Sequence, residues 1–158
     1  SRRRHTRYWL VTGVQTWLYR SVKAHYAVLA TLAMAEVYEA EQLMTASAIS
    51  KQQRIPAQFL GQILQQLRSS GLITSTRGAS GGFRLIRPPA DISAAEVIDA
   101  VCPRNNNPPP GDEHHGLSAG VHALWLELEE QQRDLLQQVS LLDLLDRCRQ
   151  ADSEMFYI

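Results

Sequence analysis

The stretch from Ile55 to Pro89 reads IPAQFLGQILQQLRSSGLITSTRGASGGFRLIRPP. Pro56 suits the first position of a helix, where its missing N–H costs nothing. Phe59, Leu60, Ile63, Leu64 and Leu67 recur at helical spacing and leave Gln58, Gln62, Gln65, Gln66 and Arg68 for the other faces. Gly71 can adopt the left-handed conformation that ends a helix. Two strand-like runs follow, at 72–77 and 83–86, joined by a turn of Gly78, Ala79, Ser80, Gly81 and Gly82. Pro88 and Pro89 stop the second run.

Upstream, Ser21 is placed to cap a first helix that ends near Tyr38. Val22, Tyr26, Leu29, Leu32 and Ala33 form its apolar face, and Ala27, Ala30 and Ala35 raise its helix propensity. Thr45 can cap a short helix over 46–52, and Gln53, Arg54 and Ile55 then make a turn without glycine. Two helices across such a turn, followed by a hairpin bracketed by Arg77, Arg84 and Arg87, look like a winged helix-turn-helix. That arrangement is suited to reading DNA.

Downstream, Ser93 and Glu96 have the spacing of a capping box for a helix over SAAEVIDAV. The following CPRNNNPPPGDEHHG, residues 102–116, is too rich in Pro, Asn and Gly for helix or strand. From Leu117 to about Gln138, Leu117, Val121, Leu124, Leu128 and Leu135 recur in steps of three and four, with Gln131 interrupting. This is the seam of a helix that packs along its length, and little apolar surface remains in one small domain to cover it. The reading therefore places a second copy against it. Ser140 caps a last helix over LLDLLDRCRQ, and the apolar tail at 151–158 is expected to dock.

Net charge is zero, yet residues 1–90 carry 12 Lys/Arg against 3 Asp/Glu, and residues 91–158 carry 4 against 13. A polyanion would be drawn to one end only. The apolar runs fall short of the ~20 residues of a membrane span. Two cysteines, Cys102 and Cys148, make no disulfide framework and imply a reducing, cytoplasmic setting. Arg2, Arg3, Arg4 and Arg7 before a mildly apolar run resemble a signal peptide only in outline. Thr12, Gly13, Gln15 and Thr16 break the run and no small-residue cleavage site follows, so secretion is not expected. Residues 1–17 read as an extension that is disordered or upstream of the natural start, with a basic arm or a partner-binding segment as alternatives.

The ordered series KAHYAVLATLAMA, ASAISKQQRIPAQFLGQILQQLRSSGLI, STRGASGGFRLIRPPADIS, EVIDAV, HALW and SLLDLL resembles the Rrf-type bacterial transcription regulators, over residues 18 to 148. The resemblance implies a DNA-binding homodimer, acting as a repressor on a pseudo-palindromic promoter site. The expected fold is mainly α with a small β-hairpin wing. A winged helix-turn-helix at 18–101 leads through a sensor or flexible loop at 102–116. A dimerisation helix and a C-terminal helix occupy 117–150. The resemblance also sets the natural start near Leu18.

By the same resemblance Gln58 reads bases from the recognition helix, where an amide can bond adenine bidentately. Some family members carry a base-reading glutamate where Gly61 stands, so Gln62 and Gln65 are the substitutes here. Arg77 corresponds to the family's minor-groove arginine. Gly78, Ser80 and Gly81 bring the wing backbone to phosphates, and Ser21 and Lys23 meet phosphate at the first helix. Arg84, Arg87 and Lys51 contribute only electrostatic attraction.

Members that sense iron, redox state or nitric oxide hold an iron–sulfur cluster through three loop cysteines. That pattern is absent: the loop has only Cys102, and Ala119 stands where the last cysteine would be. His122 matches a histidine that is a ligand in some members, and His114, His115 and His25 are further donors. Cys102 with His122 is thus a weak metal candidate; the cofactor is none or unknown, with an iron–sulfur cluster left as the less favoured alternative because the three-cysteine pattern is absent. The signal is then redox, iron or sulfur status, or a regulatory protein partner, or a thiol reaction at Cys102. An interaction module without DNA binding is a further alternative. No catalytic motif appears, and Asp112, Glu113, His114 and His115 sit in a proline-rich loop that argues against preorganised catalysis, so an enzyme is not expected.

Overall fold

In the computed structural model the described residues are 22–103 and 116–155. Ser21, the 1–17 extension, residues 104–115 with His114 and His115, and residues 156–158 lie outside them. The element order is α1 (22–36), α2 (Ala46–Gln53), α3 (Ala57–Ser69), β1 (Ile73–Thr76), β2 (Gly82–Leu85), a 3-10 turn (Pro89–Asp91), α4 (Ala94–Val101), α5 (Leu117–Gln137) and α6 (Leu141–Met155).

Helix α1 packs most of its expected face against the core, Val22 excepted, and buries a second set of residues more deeply. Of that face only Ala33 is fully buried; Val22 is exposed, and Tyr26, Leu29 and Leu32 are half-buried. Ala27, Ala30, Met34 and Ala35 are buried beside them, and Tyr26, Leu29 and Leu32 pack against that core from its edge. Small side chains let the α1 backbone approach its neighbours closely, so packing, rather than side-chain size, selects the face. Thr31, also fully buried, donates its hydroxyl to the carbonyls of Ala27 (3.1 Å) and Val28 (2.9 Å), which removes the cost of burying it.

Thr45 caps α2 by accepting a hydrogen bond from the Ala48 N–H at 3.1 Å. In place of a glycine, the turn after α2 uses Arg54, held left-handed at φ 54° and ψ 38°. The Ser50 hydroxyl donates to the Ile55 carbonyl at 2.7 Å, and the Ile55 N–H to the Ser50 carbonyl at 3.0 Å. Those bonds hold a backbone state that a side chain disfavours. Pro56 stands one residue earlier than expected, at the N-cap of α3. Leu60, Ile63, Leu64 and Leu67 are buried on one side of α3, and Gly71 at φ 76° turns the chain out of it.

The hairpin pairs Ile73 with Leu85, Thr74 with Arg84, Ser75 with Phe83 and Thr76 with Gly82. The first strand is two residues shorter than expected, and the second has the expected length but begins and ends one residue earlier. A third segment, which local periodicity does not reveal, joins it: Met44 and Phe83 exchange both backbone hydrogen bonds, at 2.9 and 2.8 Å. Gly82 is required there, since a Cβ would lie 2.8 Å from the Met44 carbonyl oxygen.

The capping box on α4 is present in full. The Ser93 hydroxyl accepts from the Glu96 N–H at 3.2 Å, and the Glu96 carboxylate accepts from the Ser93 N–H at 2.9 Å. Ser140 and Asp143 make the same reciprocal pair at the start of α6. Backbone bonds from Ala94 to Val139 (2.8 Å) and from Leu141 to Ile92 (2.9 Å) lace α6 to the start of α4. Leu141 and Leu145 thereby complete the core. Helix α6 continues to Met155, through residues assigned from sequence to a docking tail. Helix α5 packs on α4, with Arg133 paired to Asp99 at 3.2 Å. No helix among the described residues is long and apolar enough to cross a membrane.

Candidate nucleic-acid interface

The face of α3 opposite its buried leucines carries Gln58, Gly61, Gln62, Gln65 and Arg68, all exposed. Gln58, Gln62 and Gln65 lie about one turn apart, so their amides form a row of donors and acceptors. Gly61 faces open space: a β-carbon added there would meet no atom within 4 Å. Nothing steric demands a glycine at this position.

Lys23 is half-buried in the first turn of α1. Three residues on, the Tyr26 ring meets Phe59 edge-on at 6.1 Å, which sets the start of α1 beside the start of α3. The expected phosphate contact and the expected base reader Gln58 are therefore brought to one end of the helical layer.

In the wing, Arg77, Gly78, Ala79 and Ser80 are exposed. Gly78 adopts φ 113° and its carbonyl accepts from the Gly81 N–H at 3.0 Å. A Cβ on Gly81 would run into the Thr76 carbonyl, so both glycines are needed to close this turn. Arg68, at the end of α3, reaches the Ser75 hydroxyl at 3.3 Å and ties helix to hairpin.

The arginines of this half differ in what they can offer an anion. Arg87, expected to flank the wing as a free charge, pairs with Glu96 at 2.6 Å and donates to the Asp91 carbonyl at 3.0 Å. Burial pushes the Glu96 carboxyl up, but the Ser93 backbone bond and the Arg87 guanidinium outweigh it and leave the group below its ordinary value. Arg54 is a surface cation of the helix-turn-helix that sequence reasoning misses; its position in a glycine-free turn is the available signal. It is exposed there, as is Lys51 one turn earlier.

Cys102 is half-buried at the C-cap of α4, where its N–H donates to the Ile98 carbonyl at 2.8 Å. His122 is half-buried on α5. Among the described residues, no three His, Cys, Asp or Glu side chains gather in a way that could hold a metal ion. The chain has two cysteines in all, and Cys148 lies exposed on α6, so a three-cysteine ligand set is not available.

Comparison with known proteins gives a consistent result. The family model Rrf2, described as an iron-dependent transcriptional regulator, matches residues 20–147. An HTH-type transcriptional regulator IscR from Xenorhabdus nematophila is 35% identical over 127 residues, which cover 78% of this chain and 76% of that protein. Among solved structures, IscR of T. potens superposes with a TM-score of 0.67 at 26% identity, covering 82% of this chain and 87% of that one. CymR, described as the global cysteine regulator of B. subtilis, gives 0.66 at 24% identity over 79% and 94%, a likeness of fold.

Proposed function

The chain belongs to the Rrf2 family of helix-turn-helix transcriptional regulators, and from that premise we propose that it represses transcription as a homodimer on a two-fold promoter site. Each copy lays α3 in the major groove, where Gln58 and Gln62 read base edges and Gln65 assists. Arg77 enters the adjacent minor groove from the wing, while Gly78, Ser80 and Gly81 bring the turn backbone to phosphate. Lys23 meets phosphate at the start of α1, and Ser21, outside the described residues, is assigned there by resemblance. The observation that carries this reading is the exposed amide row of α3, backed by a fully buried leucine face and followed by a wing tip that bears an exposed arginine.

The second copy is proposed to cover α5. Leu124, Leu128 and Leu135 are 59%, 52% and 63% exposed, a run of apolar side chains that a stable monomer would not leave in water.

The signal proposed is redox, iron or sulfur status, received through a protein partner or the Cys102 thiol. The donor set favours that route over a cluster, and no step of DNA reading passes through a metal. A visible spectrum of anaerobically purified protein, with iron and sulfide assays, checks this. A colourless, iron-free protein is expected, and a cluster absorption band with matching iron and sulfide contradicts it.

Selection from a random duplex library, followed by fluorescence anisotropy in a salt series, tests the DNA reading itself. A recovered pseudo-palindrome with affinity falling steeply in salt supports it. Failure to enrich any sequence, with no salt-dependent binding, would make the chain an interaction module instead.

A further inference from the structure

Between the turn that follows α1 and the hairpin lies a cavity of about 510 Å³. Tyr38, Glu39 and Glu41 line it from the turn, and Arg84 and Ile86 line it from β2 and the residue just after it. Its size falls in the range of small-molecule sites. Two features separate it from an ordinary surface hollow. Both signs of charge line it, yet among the described residues no salt bridge engages Arg84, Glu39 or Glu41. Arg87, three residues beyond Arg84, is by contrast already neutralised by Glu96. The second feature is Glu41 itself, held at φ 53° with its N–H donating to the Tyr38 carbonyl at 3.0 Å. A residue with a β-carbon is strained in that left-handed state, and such strain concentrates at ligand clamps.

The walls are also amphipathic. Ile86, 51% exposed, lines the cavity two residues from Arg84, and the half-buried Tyr38 lines it from the turn. An occupant that satisfied all of these would carry an anion, a cation and a compact apolar group. We propose that the cavity binds a small apolar α-amino acid. The Arg84 guanidinium takes the carboxylate as a bidentate pair, Glu39 and Glu41 take the ammonium, and Tyr38 and Ile86 cover the side chain. This binding does not depend on the DNA reading above.

Isothermal titration calorimetry on the full chain without DNA tests it, with L-leucine, L-methionine and L-phenylalanine as probes. Each is paired with its N-acetyl derivative, which lacks the ammonium, and its amide, which lacks the carboxylate. At least one amino acid is expected to bind with a submillimolar Kd, and masking either end is expected to weaken it by roughly tenfold or more. The double variant Glu39→Gln, Glu41→Gln is expected to lose as much while keeping the wild-type melting temperature and operator affinity. Absence of submillimolar binding by all three overturns the proposal, and so does binding that survives either mask. Should the double variant be unstable, the masked ligands probe the same contacts on the unaltered protein. Failure here leaves operator binding untouched, so the two readings are distinguished.

Discussion

Helices α3 and α5 are both amphipathic, and the chain treats them in opposite ways. In α3 every leucine-type residue of the apolar face is buried and the amides point outward. In α5 the apolar seam itself is exposed, from Val121 at 54% to Leu135 at 63%. A helix whose apolar stripe is covered within its own chain belongs to a finished domain. One whose stripe is bare has the character of an interaction surface. Under the proposed function, the reading head is complete in one copy and the second copy serves only to join two heads.

The sharpest way to break that contrast is to put charge into the bare stripe. Leu124→Asp with Leu128→Asp is expected to convert a dimer to a monomer in sedimentation velocity, with helical circular dichroism retained. Affinity for a two-fold duplex should then fall by about 10²–10⁴, the avidity lost when two sites no longer act together. The matching change in α3, Leu67→Ala, should instead cost about 2–5 kcal/mol of folding stability in urea titration, because it leaves a cavity in a packed core. If Leu67→Ala spared stability, or the α5 variant unfolded the chain, the two helices would not differ as described.

Much of this contrast is legible in the sequence, and the reasons are local. Thr45, Gly71 and the Ser93–Glu96 pair act within one turn of sequence, so spacing alone locates them. The extent of α5 follows from its seam. What fails to show depends on parts distant in the chain. The deeper burial of the α1 alanines than of Tyr26 and Leu29 is set by neighbours that the α1 sequence does not contain. The Met44 bridge and the Arg87–Glu96 pair likewise join segments with no periodic relation. For the interface, helical spacing indicates which residues face outward. The roles given to Gln58 and Arg77 come from family resemblance, and exposure is compatible with them without assigning them.

Smaller effects sharpen the account of the reading head. Arg77→Ala should weaken operator binding by about 1–3 kcal/mol and lower the salt slope by about one, with anisotropy as the readout. Gly61→Ala should raise stability by roughly 0.5–1 kcal/mol, since the position is helical, has room for a β-carbon and gains from a less flexible unfolded chain. Thermal unfolding checks this, and a loss of stability would mean that the α3 face is covered by something.

The smallest effect concerns the clasp behind the wing. Glu96 has a depressed pKa, so the Arg87 pair contributes fully above the carboxyl's ordinary value of 4.5 and is lost as pH falls through the lower folded value. Both side chains are more than one-third exposed, which limits the contribution to about 0–1 kcal/mol. Glu96→Gln keeps a capping side chain and removes the charge. It should be slightly less stable than wild type at neutral pH, with the gap closing in acid.

In the proposed assembly two copies, joined through α5, present two α3 helices and two wings to one site. Sedimentation velocity of the protein alone, and then with a labelled duplex carrying the selected sequence, tests it most directly. A dimer in solution and two chains on each duplex are expected, with the Leu124→Asp, Leu128→Asp protein monomeric and bound weakly to single half-sites. A wild-type monomer that binds the full duplex as one chain with undiminished affinity would contradict it.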